Sequence, residues 1–257
     1  MTKGHSLSDW LHTARGTLRS LRIYYGDRPR HHAMDALYTQ FVRRGDLVFD
    51  VGSHVGDRIA SFRRLGCRVV ALEPQPHLAR LLTLLYGWRR DVTVVHAAAG
   101  AMPGLLDLHL NLANPTVATG SAAFIAAAKD ADGWREQRWT RRIPVTQTTL
   151  DDLIRQHGEP VFIKIDVEGF EAEVLAGLSR PVAALSFEFT TIQRDIAHAA
   201  LDRCAALGRY SFNVALGESQ RLLSARWLEA AEIGDWLDAL PPEANSGDIY
   251  ARLPFLT

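Results

Sequence analysis

The segment Asp46-Leu47-Val48-Phe49-Asp50-Val51-Gly52-Ser53-His54-Val55-Gly56-Asp57 is followed, one βα unit later, by Val69-Val70-Ala71-Leu72-Glu73-Pro74. An apolar run ends in an acid and a glycine-punctuated turn, and a second apolar run ends in another acid. Two such runs predict adjacent parallel strands with a nucleoside-binding crevice at their carboxyl ends. Glu73 then stands where an acid accepts hydrogen bonds from a ribose.

The alternation continues along the chain. Leu47–Val51, Arg68–Leu72, Val92–His96, Val161–Ile165 and Ala183–Phe189 read as strands. Asp57–Arg64, stopped by Gly66, and His77–Leu85 read as helices. Strands interleaved with helices of this size predict an α/β fold with a mainly parallel sheet covered on both faces. Tyr210–Leu216 and Asp248–Leu253 alternate more and are expected as an antiparallel pair at the sheet edge. Leu105–Leu110 and Thr140–Val145 are further extended segments. Between these two lies an insertion with Asn114-Pro115, an alanine-rich helix near Ala122–Ala128, and Trp134 and Trp139. Thr149 caps a helix that opens at Leu150.

Ahead of the first strand, Ser6 to about Tyr25 has helical spacing, with Ser6 or Ser8 as the cap. Leu7, Trp10, Leu11, Ala14, Leu18 and Leu21 share one face. Arg15, Arg19 and Arg22 share another, where solvated charge competes with an anionic-ligand patch. Gly26-Asp27-Arg28-Pro29 breaks the pattern, and Met34 to Val42 reads as a second helix. The expected organisation is a helical extension over 1–45 and one domain over 46–257, with 111–140 as a substrate lid.

The crevice discriminates between cofactors. A dinucleotide fingerprint needs G-x-G-x-x-G so that backbone can approach a pyrophosphate. Only Gly52 and Gly56 are present, and His54 occupies the place of the middle glycine. Asp50 adds negative charge, unsuited to phosphate and suited to an amino-bearing or cationic ligand. S-adenosyl-L-methionine carries a sulfonium and an α-amino group and no phosphate. Asp50 meets the amino group in this reading, and Glu73 takes both ribose hydroxyls.

Asp50–Asp57, Ala71–Pro74, His96–Gly100, Thr149–Leu153, Ile163–Glu171 and Ser186–Phe189 together resemble the FkbM-type S-adenosylmethionine-dependent methyltransferases. The similarity runs from about Tyr24 to Leu178 and more loosely to the C-terminus, and Ile163-Lys164-Ile165-Asp166-Val167-Glu168-Gly169-Phe170-Glu171 is its most distinctive block. The resemblance implies a Rossmann-like methyltransferase fold with a seven-stranded twisted sheet, helices on both faces, and methylation of hydroxyls on natural products, sugars or glycans. It also implies a cofactor site lined by Gly52, Ser53, His54, Gly56, Glu73, Pro74 and Ala98. The candidate set is completed by Tyr24, Asp50, Asp57, Gln75 and Asp166.

Methyl transfer to oxygen also needs a group that removes the hydroxyl proton, or a metal that lowers its pKa. Asp166, at the end of the fourth core strand, is the first candidate as general base or metal ligand, with Glu188 on the next strand as its partner. Their carboxylates offer the oxygen ligands Mg²⁺ prefers, although a third ligand is not identifiable from sequence. Lys164 either holds Asp166 ionised or forms an ion pair with Glu168. His54 is the alternative base, with the cofactor loop as its competing role. His96 borders the third strand end, and His31 and His32, with Tyr24 and Tyr25, lie on the segment expected to cap the cofactor's methionine end. Trp134 and Trp139 either form a lid over an aromatic or sugar-bearing acceptor or pack within their own domain.

Lys plus Arg equals Asp plus Glu at 29 each, so no global field argues for nucleic acid or an anionic membrane. No apolar stretch approaches the roughly 20 residues needed to span a bilayer. The N-terminus lacks the apolar core of a signal peptide. Cys67 and Cys204 match no metal spacing and suit a reducing compartment, so a cytoplasmic protein is expected. Its partner is a small hydroxylated acceptor, and the helix over Leu7 to Leu21 is a candidate homodimer surface. Three alternatives stand beside O-methylation: a nicotinamide dehydrogenase, an N- or carboxyl-methyltransferase, and a non-catalytic cofactor-binding module.

Overall fold

The computed structural model describes residues 7–254, with side chains described from residue 13 onward. The expected cap Ser6 and the side chains of Leu7, Trp10 and Leu11 lie outside the described residues, and Ser8 falls inside the helix. The order begins α1 (Leu7–Gly26), α2 (Arg28–Tyr38), β1 (Leu47–Val51), α3 (Asp57–Arg64), β2 (Arg68–Leu72), α4 (Pro76–Tyr86) and β3 (Val92–Val95). It continues β4 (Ala98–Ala99), β5 (Gly104–Leu110), α5 (Ala122–Ala128), β6 (Arg141–Thr148), α6 (Leu150–His157) and β7 (Phe162–Ile165). It ends α7 (Glu171–Ala176), β8 (Ala184–Thr190), α8 (Arg194–Leu207), β9 (Ser211–Leu216), α9 (Ala230–Ala239) and β10 (Ser246–Arg252).

Seven strands form the main sheet in the order β3-β2-β1-β7-β8-β10-β9. The β1–β2, β2–β3, β1–β7 and β7–β8 pairs are parallel, and β10 runs antiparallel to both its neighbours. The strand order reverses between β1 and β7, which opens a crevice beyond their carboxyl ends. All residues of β1 and β7 are buried, because helices cover both faces. Pleating sends neighbours to opposite cores: Phe49, Ile163 and Phe187 enter one, and Val48, Phe162 and Tyr250 the other.

Local chemistry explains most helix starts. Thr149 Oγ1 accepts the Asp152 amide at 3.0 Å and Ser121 Oγ accepts that of Phe124 at 3.0 Å. The second helix, expected over Met34–Val42, starts six residues earlier. α1 ends at Gly26, as the expected break requires; Asp27 then accepts the Arg30 amide at 3.0 Å and Pro29 sits in the first turn, so the same segment also initiates α2. Met34, Leu37 and Tyr38 of α2 enter the core beside β1 and β7, so the helical extension shares its core with the sheet.

On α1 the packed face differs from the expected apolar stripe. Gly16 and Ser20 are buried, whereas Leu18 is 65% exposed. A Cβ on Gly16 would lie 2.9 Å from Pro115 Cδ, so close backbone approach to the insertion selects this face. Arg15, Arg19 and Arg22 are exposed. Among the described residues no helix is long and apolar enough to cross a membrane.

The extended segments flanking the insertion form a second, three-stranded sheet, β4-β6-β5, with β5 and β6 antiparallel. Thr119 bridges back to His109 by two backbone hydrogen bonds of 2.8 and 3.1 Å. The insertion has its own small core of Val117, Phe124, Ala128 and Trp134, with Trp139 packed against it. The two indoles donate to Asn245 Oδ1 at 3.0 Å and to the Val117 carbonyl at 2.7 Å. Both tryptophans therefore hold the insertion together and neither lines the cleft described below, as the packing alternative expects. Cys67 and Cys204 are buried free thiols.

Candidate active site

A cleft opens at the carboxyl ends of β1, β2, β7 and β8. Tyr24, Asp50, Gly52, Ser53, His54, Asp57, Glu73, Pro74, Gln75, Ala98, Asp166 and Glu188 all line it. Of the remaining cofactor-loop and strand-end candidates, Gly56 and Lys164 do not. Gly56 caps α3 in a left-handed conformation, φ 85°, and builds the turn from behind. Lys164 is fully buried beneath the floor. The insertion contributes Thr116, Ala118 and Gly120 to the wall.

The turn after β1 is held from two sides. Gly52 has φ 86°, and a Cβ there would lie 1.8 Å from the Asp166 carbonyl oxygen. Glu73, at the end of β2, accepts the His54 amide at 2.8 Å on one oxygen and the Gln75 amide at 2.8 Å on the other. A carboxylate has about four lone-pair positions, so acceptor capacity remains for a diol. Burial pushes the Glu73 carboxyl up to about 8 despite these two amides. Asp50 is 1% exposed, and its Oδ2 has no hydrogen-bond partner. Burial raises its pKa to about 7. A buried acid with an unmet oxygen beside a glycine cradle fits the amino group of S-adenosylmethionine, and Glu73 fits its ribose.

His54 sits at φ 48°, with the Tyr24 ring edge-on at 5.4 Å and Thr116 Oγ1 3.5 Å from Nε2. Burial lowers its pKa to about 4. So weak a base holds an abstracted proton poorly near neutrality, which leaves the loop role as the one its surroundings favour. Asp57 is committed to cations: Arg58 lies 2.7 Å and Arg30 2.9 Å from Oδ2. Arg30 also pairs with Glu218 at 2.8 Å and lies over the Tyr24 ring at 4.9 Å. Gln75 Nε2 donates to the Pro115 carbonyl at 2.9 Å, which ties the cleft wall to the insertion.

Lys164 Nζ donates to Asp166 Oδ2 at 3.1 Å, Asp248 Oδ1 at 2.9 Å and the Ile165 carbonyl at 3.3 Å. All three ammonium protons are used, so Lys164 is a positioning residue that cannot reach a substrate. Its ion-pair partners among the described residues are these two aspartates, so of the two alternatives Lys164 pairs with Asp166 and not with Glu168. Burial works against the ammonium, yet the two carboxylates raise its pKa well above the ordinary value. Burial likewise opposes ionisation of Asp166, and Lys164 and Arg58 overcome it, leaving the carboxyl below its usual range. Glu168 and Glu188 are driven well above the usual range, by burial first and then by neighbouring acids.

Tyr25 and the two neighbouring histidines do not line the cleft. The Tyr25 hydroxyl lies 3.1 Å from both the Val55 carbonyl and the Tyr86 hydroxyl, and His31 Nε2 lies 2.8 Å from the Tyr24 carbonyl. His96 is exposed, 3.2 Å from the Pro74 carbonyl. Arg58, Glu218 and Asp248 escape sequence reasoning. Asp248 alone left a trace, as the first residue of the expected edge strand Asp248–Leu253.

A family model described as the methyltransferase FkbM domain matches residues 50–222. No curated protein matches the chain. Among solved structures, an O-methyltransferase from Bacillus cereus in complex with SAH is 12% identical, covers 99% of this chain and 94% of its own, and has a TM-score of 0.49. A TehB-like SAM-dependent methyltransferase from Corynebacterium glutamicum is 11% identical, with 96% and 98% covered and a TM-score of 0.49. A precorrin-6y C5,15-methyltransferase from Geobacter metallireducens is 12% identical, with 86% and 88% covered and a TM-score of 0.45. At such identities none of the three bears on the acceptor.

Proposed function

The chain belongs to the FkbM methyltransferase family, an S-adenosylmethionine-dependent group, and we propose that it methylates a hydroxyl oxygen of a small or medium-sized acceptor. The observation that carries the proposal is Asp166, ionised over buried Lys164 and open to the cleft that Asp50 and Glu73 also line. When bound, S-adenosylmethionine supplies an electrophilic methyl group: the acceptor oxygen forms the C–O bond as the C–S pair returns to sulfur, leaving a neutral thioether. Asp50 meets the amino group, Glu73 the ribose hydroxyls, and the Gly52–His54 backbone the body of the cofactor. Asp166 takes the acceptor's proton, and Lys164 keeps it ionised for that task. Glu188 orients the hydroxyl beside it. Positioning two reactants in one cleft supplies much of the rate. A sugar or other natural product rich in hydroxyls suits a wall with this many hydrogen-bond acceptors. The two free buried thiols support placement in a reducing cytoplasm.

The test incubates the full chain with radiolabelled S-adenosylmethionine and a panel of hydroxylated acceptors, alongside Asp166→Asn. The expected result is an ether product, with turnover lost in Asp166→Asn while S-adenosylhomocysteine still binds. Label recovered on nitrogen or carboxyl oxygen, or full turnover by Asp166→Asn, overturns the proposal.

A further inference from the structure

The turn between β7 and α7 adds a third acid to the two that sequence pattern brings together. One carboxylate oxygen each from Asp166, Glu168 and Glu188 lies within 4.8 Å of the other two. Oxygens that share one Mg²⁺-type ion at about 2.0–2.1 Å are at most about 4.2 Å apart. Three oxygens within 4.8 Å of one another therefore need only small side-chain shifts to hold one ion.

Two of the three acids have an unmet oxygen. Glu168 is 6% exposed, and its buried Oε2 has no hydrogen-bond partner. The buried Oε2 of Glu188 has none either. A buried acceptor left unpaired is expensive, so such atoms point to a ligand. The backbone is strained to present Glu168: its φ is 56°, a conformation that non-glycine residues rarely adopt. The strained turn is clamped. Thr119 Oγ1 donates to the Glu168 carbonyl at 2.7 Å, and a Cβ on Gly169 would lie 2.7 Å from Phe124. Part of the insertion's construction thus serves to hold one carboxylate in place.

We propose that Asp166, Glu168 and Glu188 bind a single divalent cation of the Mg²⁺ or Mn²⁺ type at the cleft wall. Three hard oxygen donors suit such an ion, and all three residues line the cleft, so its remaining positions face the acceptor. An acceptor ammonium is the weaker fit. It brings one positive charge to three acids whose nearest cation, Lys164, is already shared with Asp248. With the ion bound, Asp166 and Glu188 would serve as its ligands in place of the base and orienting roles given them above, and the ion would lower the pKa of the acceptor hydroxyl. The acceptor's place on the ion rests on the methyl-transfer reading; cation binding itself does not.

The deciding experiment titrates Mn²⁺ into the full chain, with and without S-adenosylhomocysteine, and follows free Mn²⁺ by electron paramagnetic resonance. One Mn²⁺ per chain, displaced by Mg²⁺, is expected. Glu168→Gln and Glu188→Gln should each weaken it by roughly tenfold or more, since even indirect supports of metal sites contribute that much. Glu173→Gln is the control: Glu173 is an exposed acid on α7, and this variant should bind Mn²⁺ like the wild type. Absence of Mn²⁺ binding by the wild-type chain overturns the proposal, as does binding that neither glutamine variant weakens. Mn²⁺ binding without S-adenosylhomocysteine binding leaves the cation site standing and removes the methyl-transfer reading.

Discussion

Gly52 lies so close to Asp166 that a side chain on the first would collide with the carbonyl of the second, at 1.8 Å. The cofactor turn and the candidate base are thereby one rigid unit. The contact explains why a glycine stands there, since φ 86° and the missing Cβ are both required. Gly52→Ala should cost about 1–3 kcal/mol from backbone strain alone, with the clash added. Urea unfolding should register that loss, and calorimetry should show S-adenosylhomocysteine affinity falling with it. An alanine variant of wild-type stability and affinity would refute the coupling.

Glu73 makes stability and binding oppose each other. Its folded pKa of about 8 lies above the ordinary value of 4.5, so the native ligand-free chain holds a proton that the unfolded chain releases. That contribution is fully present below about pH 4.5 and is lost as pH rises through about 8. The melting temperature of the wild type should therefore fall relative to Glu73→Gln across this window. Glu73→Gln should meanwhile weaken cofactor binding by about 1.5–3 kcal/mol per charged hydrogen bond lost. Parallel pH–melting curves of the two proteins that never diverge would contradict this account.

Lys164 shares one ammonium between Asp166 and Asp248 in a fully buried position. Removing one partner of a buried ion pair strands the others, so Lys164→Met should destabilise by about 3–5 kcal/mol. The double variant Lys164→Met/Asp248→Leu should recover part of this, because one of the stranded charges is gone. Denaturant midpoints of the two variants provide the comparison.

With its pKa lowered to about 4, His54 stays neutral across the physiological range. His54→Asn, a residue that tolerates the same left-handed backbone, should leave the shape of the kcat/KM pH profile unchanged. Its effect should appear in the KM for S-adenosylmethionine. Disappearance of an ionisation between about pH 6 and 7 in this variant would instead assign His54 the proton.

Much of the sheet was legible because its signals are local. β1, α3, β2 and α5 fall at the expected residues, since a buried strand is a short apolar run and a helix end is marked by Gly66 or Ser121. The antiparallel edge pair was visible in the alternation of Tyr210–Leu216 and Asp248–Leu253. Less legible were α7, α8 and α9, which the pattern left unassigned, and the true start of α2. The tryptophans of the insertion were equally consistent with a lid and with a core, because residue type reports burial and not direction. Gly56 and Lys164 carry a chemical signature at the right place in the chain, yet one is turned behind the cleft and the other lies beneath it.

Residue order alone determined the parallel α/β core and placed Asp50, Glu73, Asp166 and Glu188 at strand ends, because the strand period and turn chemistry act over a few residues. Only the tertiary structure decided how those acids are charged. The antiparallel register of β10 carries Asp248 across 84 residues to Lys164. The insertion, folded on its own core, brings Thr119 to the Glu168 carbonyl. A carboxylate's proton affinity is set by desolvation and by neighbours within a few ångströms, and those neighbours come from distant parts of the chain.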